Sequence, residues 1–142
     1  FVFNTSKFKG MKKLFIGLLI LFTVNTVYAQ REFSYEEGDT TFTMKRYVFM
    51  MLDSGGTKSK DSIEAAKFQE KHMAHLNKLA EDGKLIMAGP FEGGGEHRGL
   101  LIFDVESVEE ALELEGEDPS VKSGRLKMNA FYWWGAKGTI LK

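Results

Sequence analysis

The sequence predicts an α+β fold, in which four antiparallel strands form a ferredoxin-like sheet and two helices cover one of its faces. Two observations support this prediction. Segments of strand and helix character follow one another in the order β-α-β-β-α-β, which is the order of that fold. The strands are also apolar at successive positions, whereas a sheet with one solvated face should alternate apolar and polar residues. We therefore expect both faces of the sheet to be covered.

The first 29 residues have the character of an extension that precedes the fold. Residues 11–29 combine an initial pair of lysines with an apolar run at 14–24, which is shorter than the roughly 20 residues of a membrane anchor. Residues 27–29, Val-Tyr-Ala, suit a signal peptidase. We expect residues 1–10 to be an upstream extension and residues 11–29 a signal peptide cleaved before Gln30. The mature protein would then be periplasmic or secreted.

The remaining 113 residues have an acidic balance and no cysteine. The first 29 residues hold four lysines and no acids, which leaves 15 basic and 20 acidic residues in the mature part, a net charge of −5. An acidic domain without a basic stripe is a poor candidate for binding nucleic acid or an anionic membrane. Since no disulfide is available, stability has to come from packing and from a partner subunit.

A polar arm and a first strand open the mature part. Residues 30–43 are polar with scattered aromatic side chains, and we expect a loosely attached arm that precedes the domain at 44–137. Residues 45–52, KRYVFMML, are rich in aromatic and β-branched residues and predict the first strand. Residues 61–82 have the periodicity of an amphipathic helix, and Gly83 provides a C-terminal stop.

Three further strands and a second helix are predicted in the rest of the domain. The strands are expected at 84–88, 99–105 and 125–134. Ser107 and Glu110 form a capping box, in which each side chain can satisfy an exposed amide at the start of a helix. The helix is expected to run from there to about Glu117. The acidic run from Glu115 to Asp118 is most simply a solvated helix face.

The predicted sheet is apolar on both faces near its middle. In the first strand, Tyr47 and Phe49 project to one side, while Val48 and Met50 project to the other. Two helices can cover only one face of the sheet. We therefore expect a second copy of the chain to cover the other face, which gives a homodimer closed sheet against sheet, with a cavity for a small-molecule ligand.

Three histidines are the candidates for proton transfer or metal binding. His72 lies within the apolar arc of the first helix, His75 lies at the edge of that arc, and His97 lies in a glycine-rich connection. Imidazole titrates near neutrality and can accept or donate a proton there. His72 and His75 could share a metal only if His97 or a carboxylate supplied a third ligand. The prediction is therefore a site without a metal or an organic cofactor.

The segment from His72 to Phe91, HMAHLNKLAEDGKLIMAGPF, together with the later segments GLLIFDVESVEEA and EDPSVKSGRL, resembles the YCII-related family. The similarity covers about residues 44–137. Membership would imply the dimeric α/β-barrel group of ferredoxin-like folds. The family pattern contains a helix histidine, a stretch leading to Ala-Gly-Pro and a later Asp-Pro. The resemblance implies that His72 and Asp118 are the pair proposed as the active site of that family.

These features predict an exported enzyme that transfers a proton on a small molecule. A carboxylate beside an imidazole fixes its tautomer and favours its charged form, so a His72–Asp118 pair would suit isomerase- or lyase-like chemistry. Asp118 is also a good residue to begin a helical turn before a proline, and that structural role stays open. The alternative function is a non-catalytic binding module whose dimer cavity is lined by Phe49, Tyr132 and Trp134.

Overall fold

The computed structural model describes residues 30–139, and the predicted upstream extension and signal peptide lie outside the described residues. The strands are β1 (Glu32–Glu37), β2 (Thr40–Ser54), β3 (Leu85–Pro90), β4 (His97–Phe103) and β5 (Leu126–Ala136). The helices are α1 (Ser62–Glu81), α2 (Val108–Gly116) and α3 (Pro119–Lys122). Within residues 30–139, no helix is long and apolar enough to cross a membrane.

The strands form one antiparallel sheet with the central order β3-β4-β2-β5. The long strand β2 pairs with β4 on one side and with β5 on the other. β1 adds to β2 on the β4 side, because Lys45 in β2 faces Glu32 in β1 and Gly135 in β5 at the same time. With α1 between β2 and β3, and α2 and α3 between β4 and β5, this order confirms the predicted ferredoxin-like α+β fold.

The hydrophobic core lies between the helices and one face of the sheet. Alternate residues of a strand project to the same face, and Val48, Met50 and Leu52 of β2 follow this rule on the side of the helices. Leu76 and Leu79 of α1 lie three residues apart and face them from the helix. The core consists of Val48, Met50, Leu52, Leu76, Leu79, Leu85, Leu101, Phe103, Val105 and Ala111.

Helix α1 begins and ends where the sequence predicts. The side chain of Asp61 accepts a hydrogen bond from the backbone N–H of Glu64 at 2.8 Å, which satisfies one of the free amides of the first turn. At the other end, Gly83 has a φ of 70°, a left-handed conformation that glycine adopts without steric cost. The helix that carries His72 is therefore fixed at both ends.

The segment predicted as a loosely attached arm, residues 30–43, forms regular structure instead. β1 and the first residues of β2 make a hairpin, and Arg31 joins its start to the segment that follows β4. The guanidinium of Arg31 donates to Asp104 at 2.5 Å and to Glu106 at 2.6 Å. Strand pairing together with these ion pairs explains why the segment is attached.

The second face of the sheet is not covered by any helix of the described residues. Phe49 stacks on Phe131 with 5.1 Å between ring centroids, and Tyr47 lies 6.0 Å from Trp133. Phe131 and Trp133 remain 45% and 43% exposed. The pairing register places these four residues on one face of the sheet and Val48 and Met50 on the other face. This confirms that both faces of the sheet are apolar.

Candidate functional site

Helix α1 and the start of α3 bring His72 and Asp118 together. Nδ1 of His72 lies 2.7 Å from Oδ2 of Asp118. The Asp118 side chain is fully buried, and that of His72 is 13% exposed. The other oxygen of the same carboxylate, Oδ1, accepts from the backbone N–H of Ser120 at 2.6 Å. Asp118 therefore caps α3 with one oxygen and contacts His72 with the other.

The electrostatics of Asp118 define the tautomer of its partner. Burial by itself would raise the pKa of Asp118, but the hydrogen bond and positive charge of His72, with the bond from Ser120, outweigh burial and hold that pKa below its ordinary value. At neutral pH Asp118 is thus a carboxylate, which can only accept hydrogen bonds. Nδ1 of His72 must then carry a proton, and Nε2 of a neutral ring keeps its lone pair.

A second histidine and a second carboxylate lie behind this pair. Glu115 is fully buried, and its Oε2 lies 3.6 Å from Nε2 of His75. Neither oxygen of Glu115 has a hydrogen-bond partner among the described residues, nor does Nε2 of His75. Burial, followed by the negative charge of Asp118, raises the pKa of Glu115 to about 8. Glu115 is therefore protonated at neutral pH, whereas Asp118 is not.

The burial of Glu115 corrects the prediction that residues 115–118 form a solvated acidic face. Glu115 follows the buried Ala111 by four residues, and residues at that spacing lie on the same side of a helix. The helix turns this side toward the core, so the carboxyl group is enclosed. The spacing from Ala111 was the signal in the sequence that could have identified Glu115.

His72, Glu115 and Asp118 are the residues that could hold a cation. Each offers a nitrogen or oxygen atom, and these atoms lie within 4.8 Å of one another. Neither His75 nor His97 belongs to such a group within residues 30–139, and Nδ1 of His97 lies 2.7 Å from Oδ1 of Asp53 in β2. The structure therefore does not assemble the alternative metal site built on His72, His75 and His97.

His72 lies in the wall of a cavity of about 480 Å³ on the helix side of the sheet. Most of the wall is apolar and comes from α1, β3, β4 and the ends of β2 and β5. The apolar lining consists of Leu52, Phe68, Met73, Leu76, Ala88, Pro90, Phe91, Leu101 and Leu126. The polar side chains of the wall are those of Gln69, His72, Arg98, Ser120 and Arg125. A small molecule in this cavity would lie against His72.

The three aromatic residues predicted to line a ligand cavity do not share a face of the sheet. Phe49 is on the uncovered face with Phe131, whereas Tyr132 and Trp134 pair with Val48 and Arg46 on the opposite face. None of the three lines the cavity beside His72. The prediction was wrong because it grouped aromatic residues without the register, and a shift of one residue reverses the face.

Two arginines in the cavity wall, Arg98 and Arg125, were not predicted from the sequence. Arg98 lies at the start of β4, and Arg125 comes directly before β5. Arg98 directly precedes a predicted strand and Arg125 is the first residue of another, and at such positions no pattern distinguishes a cavity residue from a surface charge. Only the assembled sheet brings the starts of these two strands to one cavity.

Comparisons with known proteins add to this geometry. Residues 46–130 match the YCII-related domain family. The chain is 29% identical over 91 residues to the uncharacterized protein YjpA of Bacillus subtilis (strain 168). The aligned region covers 61% of this chain and 94% of YjpA. It is also similar to a solved structure, 5-chloro-2-hydroxyhydroquinone dehydrochlorinase (TftG) from Burkholderia phenoliruptrix AC1100 in complex with 2,5-dihydroxybenzoquinone. That similarity has a TM-score of 0.46 and 22% identity, and it covers 61% of this chain and 92% of the other.

Proposed function

The chain belongs to the YCII-related domain family, and from its site we propose that it is an enzyme that moves a proton on a small molecule. His72 is the general base and acid, and Asp118 is its partner. The observation that carries the proposal is the 2.7 Å contact between the two side chains at a cavity of about 480 Å³ that His72 lines. The proposal requires neither a metal nor an organic cofactor.

The proposed step uses the two nitrogens of His72 differently. The Nδ1–H group keeps its proton and donates a hydrogen bond to the Asp118 carboxylate, while Nε2 takes a proton from a carbon atom next to a carbonyl group of the ligand. The ring then becomes positively charged, and the adjacent carboxylate stabilises that charge. Return of the proton to a different carbon gives an isomerisation, and departure of a leaving group with its electron pair gives an elimination.

The apolar wall of the cavity supports the same chemistry. Side chains such as Phe68 and Leu101 give the space next to His72 an apolar surface. In an environment of low polarity, the attraction between a charged imidazole and a carboxylate is stronger than in water. The carboxylate of Asp118 is therefore well placed to stabilise the positive charge that the ring carries during the proposed reaction.

Exchange of carbon-bound hydrogen tests the proposal without knowledge of the natural substrate. The purified chain is incubated in D₂O with a panel of five- and six-membered lactones and cyclic ketones, and loss of the carbon-bound protons is followed by ¹H NMR. We expect His72→Gln to slow catalysed exchange by about 10²- to 10⁴-fold, the usual contribution of a general base. Asp118→Asn keeps an oxygen for the Ser120 amide but loses the negative charge, and we expect it to slow exchange as well.

His97→Gln is the matched control, because His97 is exposed and bonds to Asp53 outside the cavity. This variant should exchange at the wild-type rate. Equal rates in wild type and His72→Gln would refute the proposal. Binding of panel compounds with no catalysed exchange would favour the second candidate function, a non-catalytic binding module, for which the mainly apolar lining of the cavity is the supporting observation.

Two further proposals concern the assembly and the location of the protein. We propose that a second copy covers the apolar face of the sheet, since Phe131 and Trp133 are exposed there in a single chain. We also propose that residues 11–29 are removed as a signal peptide during export to the periplasm or the medium. The sequence of those residues supports this proposal. N-terminal sequencing of the exported protein should begin at Gln30.

A further inference from the structure

The cavity beside His72 is lined by two arginines that form no ion pair with any acidic side chain in the part of the chain that the structure describes. On the basis of the function proposed above, we propose that its ligand is a small carboxylic acid, whose carboxylate binds to Arg98 and Arg125 and whose apolar body lies against the cavity wall. Nothing in the family match or in the relatives assigns a role to either arginine. The evidence comes from the pairing of the charges, the path of β4 and the lining of the cavity.

Neither arginine takes part in an ion pair of the described residues. Arg31, in contrast, binds two carboxylates. Asp118, the carboxylate that contacts His72 in the cavity wall, is already occupied by His72 and by the Ser120 amide. Although residues 30–142 carry a net charge of −5, the free formal charges in this wall are positive. A site of this kind attracts anions.

Each guanidinium is held in place yet keeps donors for a ligand. Nη1 of Arg98 donates to the backbone oxygen of Gly94 at 2.9 Å. Arg125 donates from Nη1 to the hydroxyl of Ser59, and its guanidinium lies 4.9 Å from the ring centre of Phe68. A guanidinium has five N–H donors in a fixed plane, so these contacts orient both groups without using all of their donors. Such a fork suits the two oxygens of a carboxylate.

A bulge in β4 explains why Arg98 reaches the cavity. Leu52 of β2 pairs with Gly99, but the next residue, Asp53, pairs with His97, so Arg98 is passed over. A regular register would place Arg98 opposite Asp53, which lies on the face away from the helices. Bulges change the direction of side chains at such points. Here the bulge gives Asp53 a histidine partner and leaves Arg98 in the cavity wall.

The rest of the wall defines the body of the ligand. Most of the lining side chains are apolar, and Phe68 and Phe91 offer aromatic rings. The volume of about 480 Å³ lies within the usual range of small-molecule sites, roughly 300–1,000 Å³. The cavity therefore suits an acid with a ring-sized apolar body. His72 would face that body while the arginines hold the carboxylate.

Binding of benzoate and benzamide to the full chain, measured by calorimetry, tests the inference. The two probes have nearly the same shape, but only benzoate is charged. We expect benzoate to bind at least about tenfold more tightly, because hydrogen bonds to charged groups exceed neutral ones by this order. Arg98→Gln and Arg125→Gln should each remove most of this preference and leave benzamide binding unchanged. Arg125→Lys, which keeps the charge, should retain part of it.

Arg46→Gln is the matched control, since Arg46 lies over the ring of Tyr132 and does not line the cavity. This variant should bind benzoate like wild type. Equal affinity for benzoate and benzamide, or no binding of either probe at millimolar concentration, would overturn the inference. Displacement of benzoate by a lower concentration of inorganic phosphate would also overturn it, in favour of a phosphate site.

The His72→Gln variant separates this inference from the proposed function. If the arginines bind the carboxylate, this variant should keep its preference for benzoate even where it loses proton exchange. Wild-type exchange in His72→Gln, with the preference intact, would refute the proton-transfer role and leave the anion site in place. Loss of the preference in the arginine variants is expected in either case.

Discussion

Two acidic side chains three residues apart, Glu115 and Asp118, differ in protonation at neutral pH. Glu115 is a neutral carboxylic acid, and Asp118 is a charged carboxylate. Both are fully buried, so burial alone would raise both pKa values. Asp118 has partners that stabilise its charge, namely His72 and the Ser120 amide. Glu115 has none among the described residues, and the charge of Asp118 raises its pKa further, to about 8. The partners, rather than the depth of burial, decide which group remains charged beside His72.

Glu115 makes stability depend on pH in a predictable direction. Its pKa is about 8 in the folded chain and 4.5 as an ordinary glutamate, so between these values the folded state binds a proton that the unfolded state has lost. Stability should therefore fall as pH rises from about 5 to about 8, by about 1.4 kcal/mol for each unit of difference between the two pKa values. Chemical denaturation midpoints of the wild-type chain across this range measure the effect.

Glu115→Gln replaces the titrating group with a neutral one of similar shape, so we expect its stability to change much less between pH 5 and pH 8. At pH 8 this variant should be more stable than wild type. Glu113→Gln is the control, because Glu113 is on the same helix but exposed, and it should keep the wild-type pH dependence. An unchanged slope in Glu115→Gln would show that another group is responsible.

His72 and Asp118 could be singled out together as candidates because the chain resembles the YCII-related family, whose pattern contains a helix histidine and a later Asp-Pro. His72 lies on the apolar side of a long amphipathic helix, and Asp118 stands before a proline at a helix start. Neither Glu115 nor Arg98 lies in the segments that carry this resemblance. Glu115 lies in a run of acidic residues that resembles a solvated helix face. Arg98 reaches the cavity through a bulge that the residues around it do not predict. The role of each depends on tertiary packing.

At the level of elements, the hairpin of β1 and β2 was predictable and was missed. Gly38 and Asp39 are the two residues between the paired Glu37 and Thr40, and Gly38 has a φ of 60°. Glycine in the first position of a two-residue loop is typical of a tight hairpin turn. Aromatic residues alternate with polar ones on both sides of the loop, at Phe33, Tyr35 and Phe42. The polar composition of the segment concealed these signals.

The bulges of the sheet could not be predicted from strand patterns. β3 contains one between Leu85 and Met87, which pair with Phe103 and Ile102 on opposite faces of the sheet. The period of two in a strand would have placed Leu85 and Met87 on the same face. In a bulge, two residues of one strand lie opposite one residue of the partner strand. Its position therefore depends on how the strands pair and cannot be deduced from one strand alone.

The stability of the hairpin should depend on Asp104. Its carboxylate forms ion pairs with Arg31 at 2.5 Å and with Lys45 at 2.6 Å. The pKa of Asp104 is held below its ordinary value, because the hydrogen bonds and charges of Lys45 and Arg31 outweigh burial. Asp104→Asn leaves two partly buried cations without this partner, and we expect a loss of about 1–2 kcal/mol of unfolding free energy. Urea denaturation measures the loss, and amide exchange should accelerate most in β1.

Asp82→Asn is the matched control for this prediction. Asp82 also pairs with a lysine, Lys78, at 2.7 Å, but both side chains are at least half exposed. Exposed pairs of this kind contribute little to stability, so the change should stay within about 0.5 kcal/mol. Equal effects of the two substitutions, or unchanged amide exchange in β1 of Asp104→Asn, would contradict the role of Asp104 in holding the hairpin.

For the whole molecule, the main open question is why one apolar face of the sheet is exposed to solvent in a single chain. The chain has no cysteine, and its helices cover the opposite face. Phe131 and Trp133 leave more than two fifths of their surface in solvent, next to Tyr47 and Phe49. Exposed apolar side chains on this face are the place at which the proposed second copy would bind. In a twofold dimer, the same face of each copy packs against the other. Such an arrangement would bury the apolar residues of both chains.

Phe131→Glu tests this assembly, because it introduces a charge from each of the two copies into the proposed interface. A buried charge without a partner costs about 3–5 kcal/mol, so the dimer dissociation constant should rise by at least about 10²-fold. Sedimentation equilibrium should give twice the chain mass for wild type and the chain mass for the variant. Tyr132→Glu is the control, since Tyr132 is equally exposed but lies on the opposite face, and it should stay dimeric. A monomeric wild type, or dissociation by both substitutions alike, would exclude this face as the contact between copies.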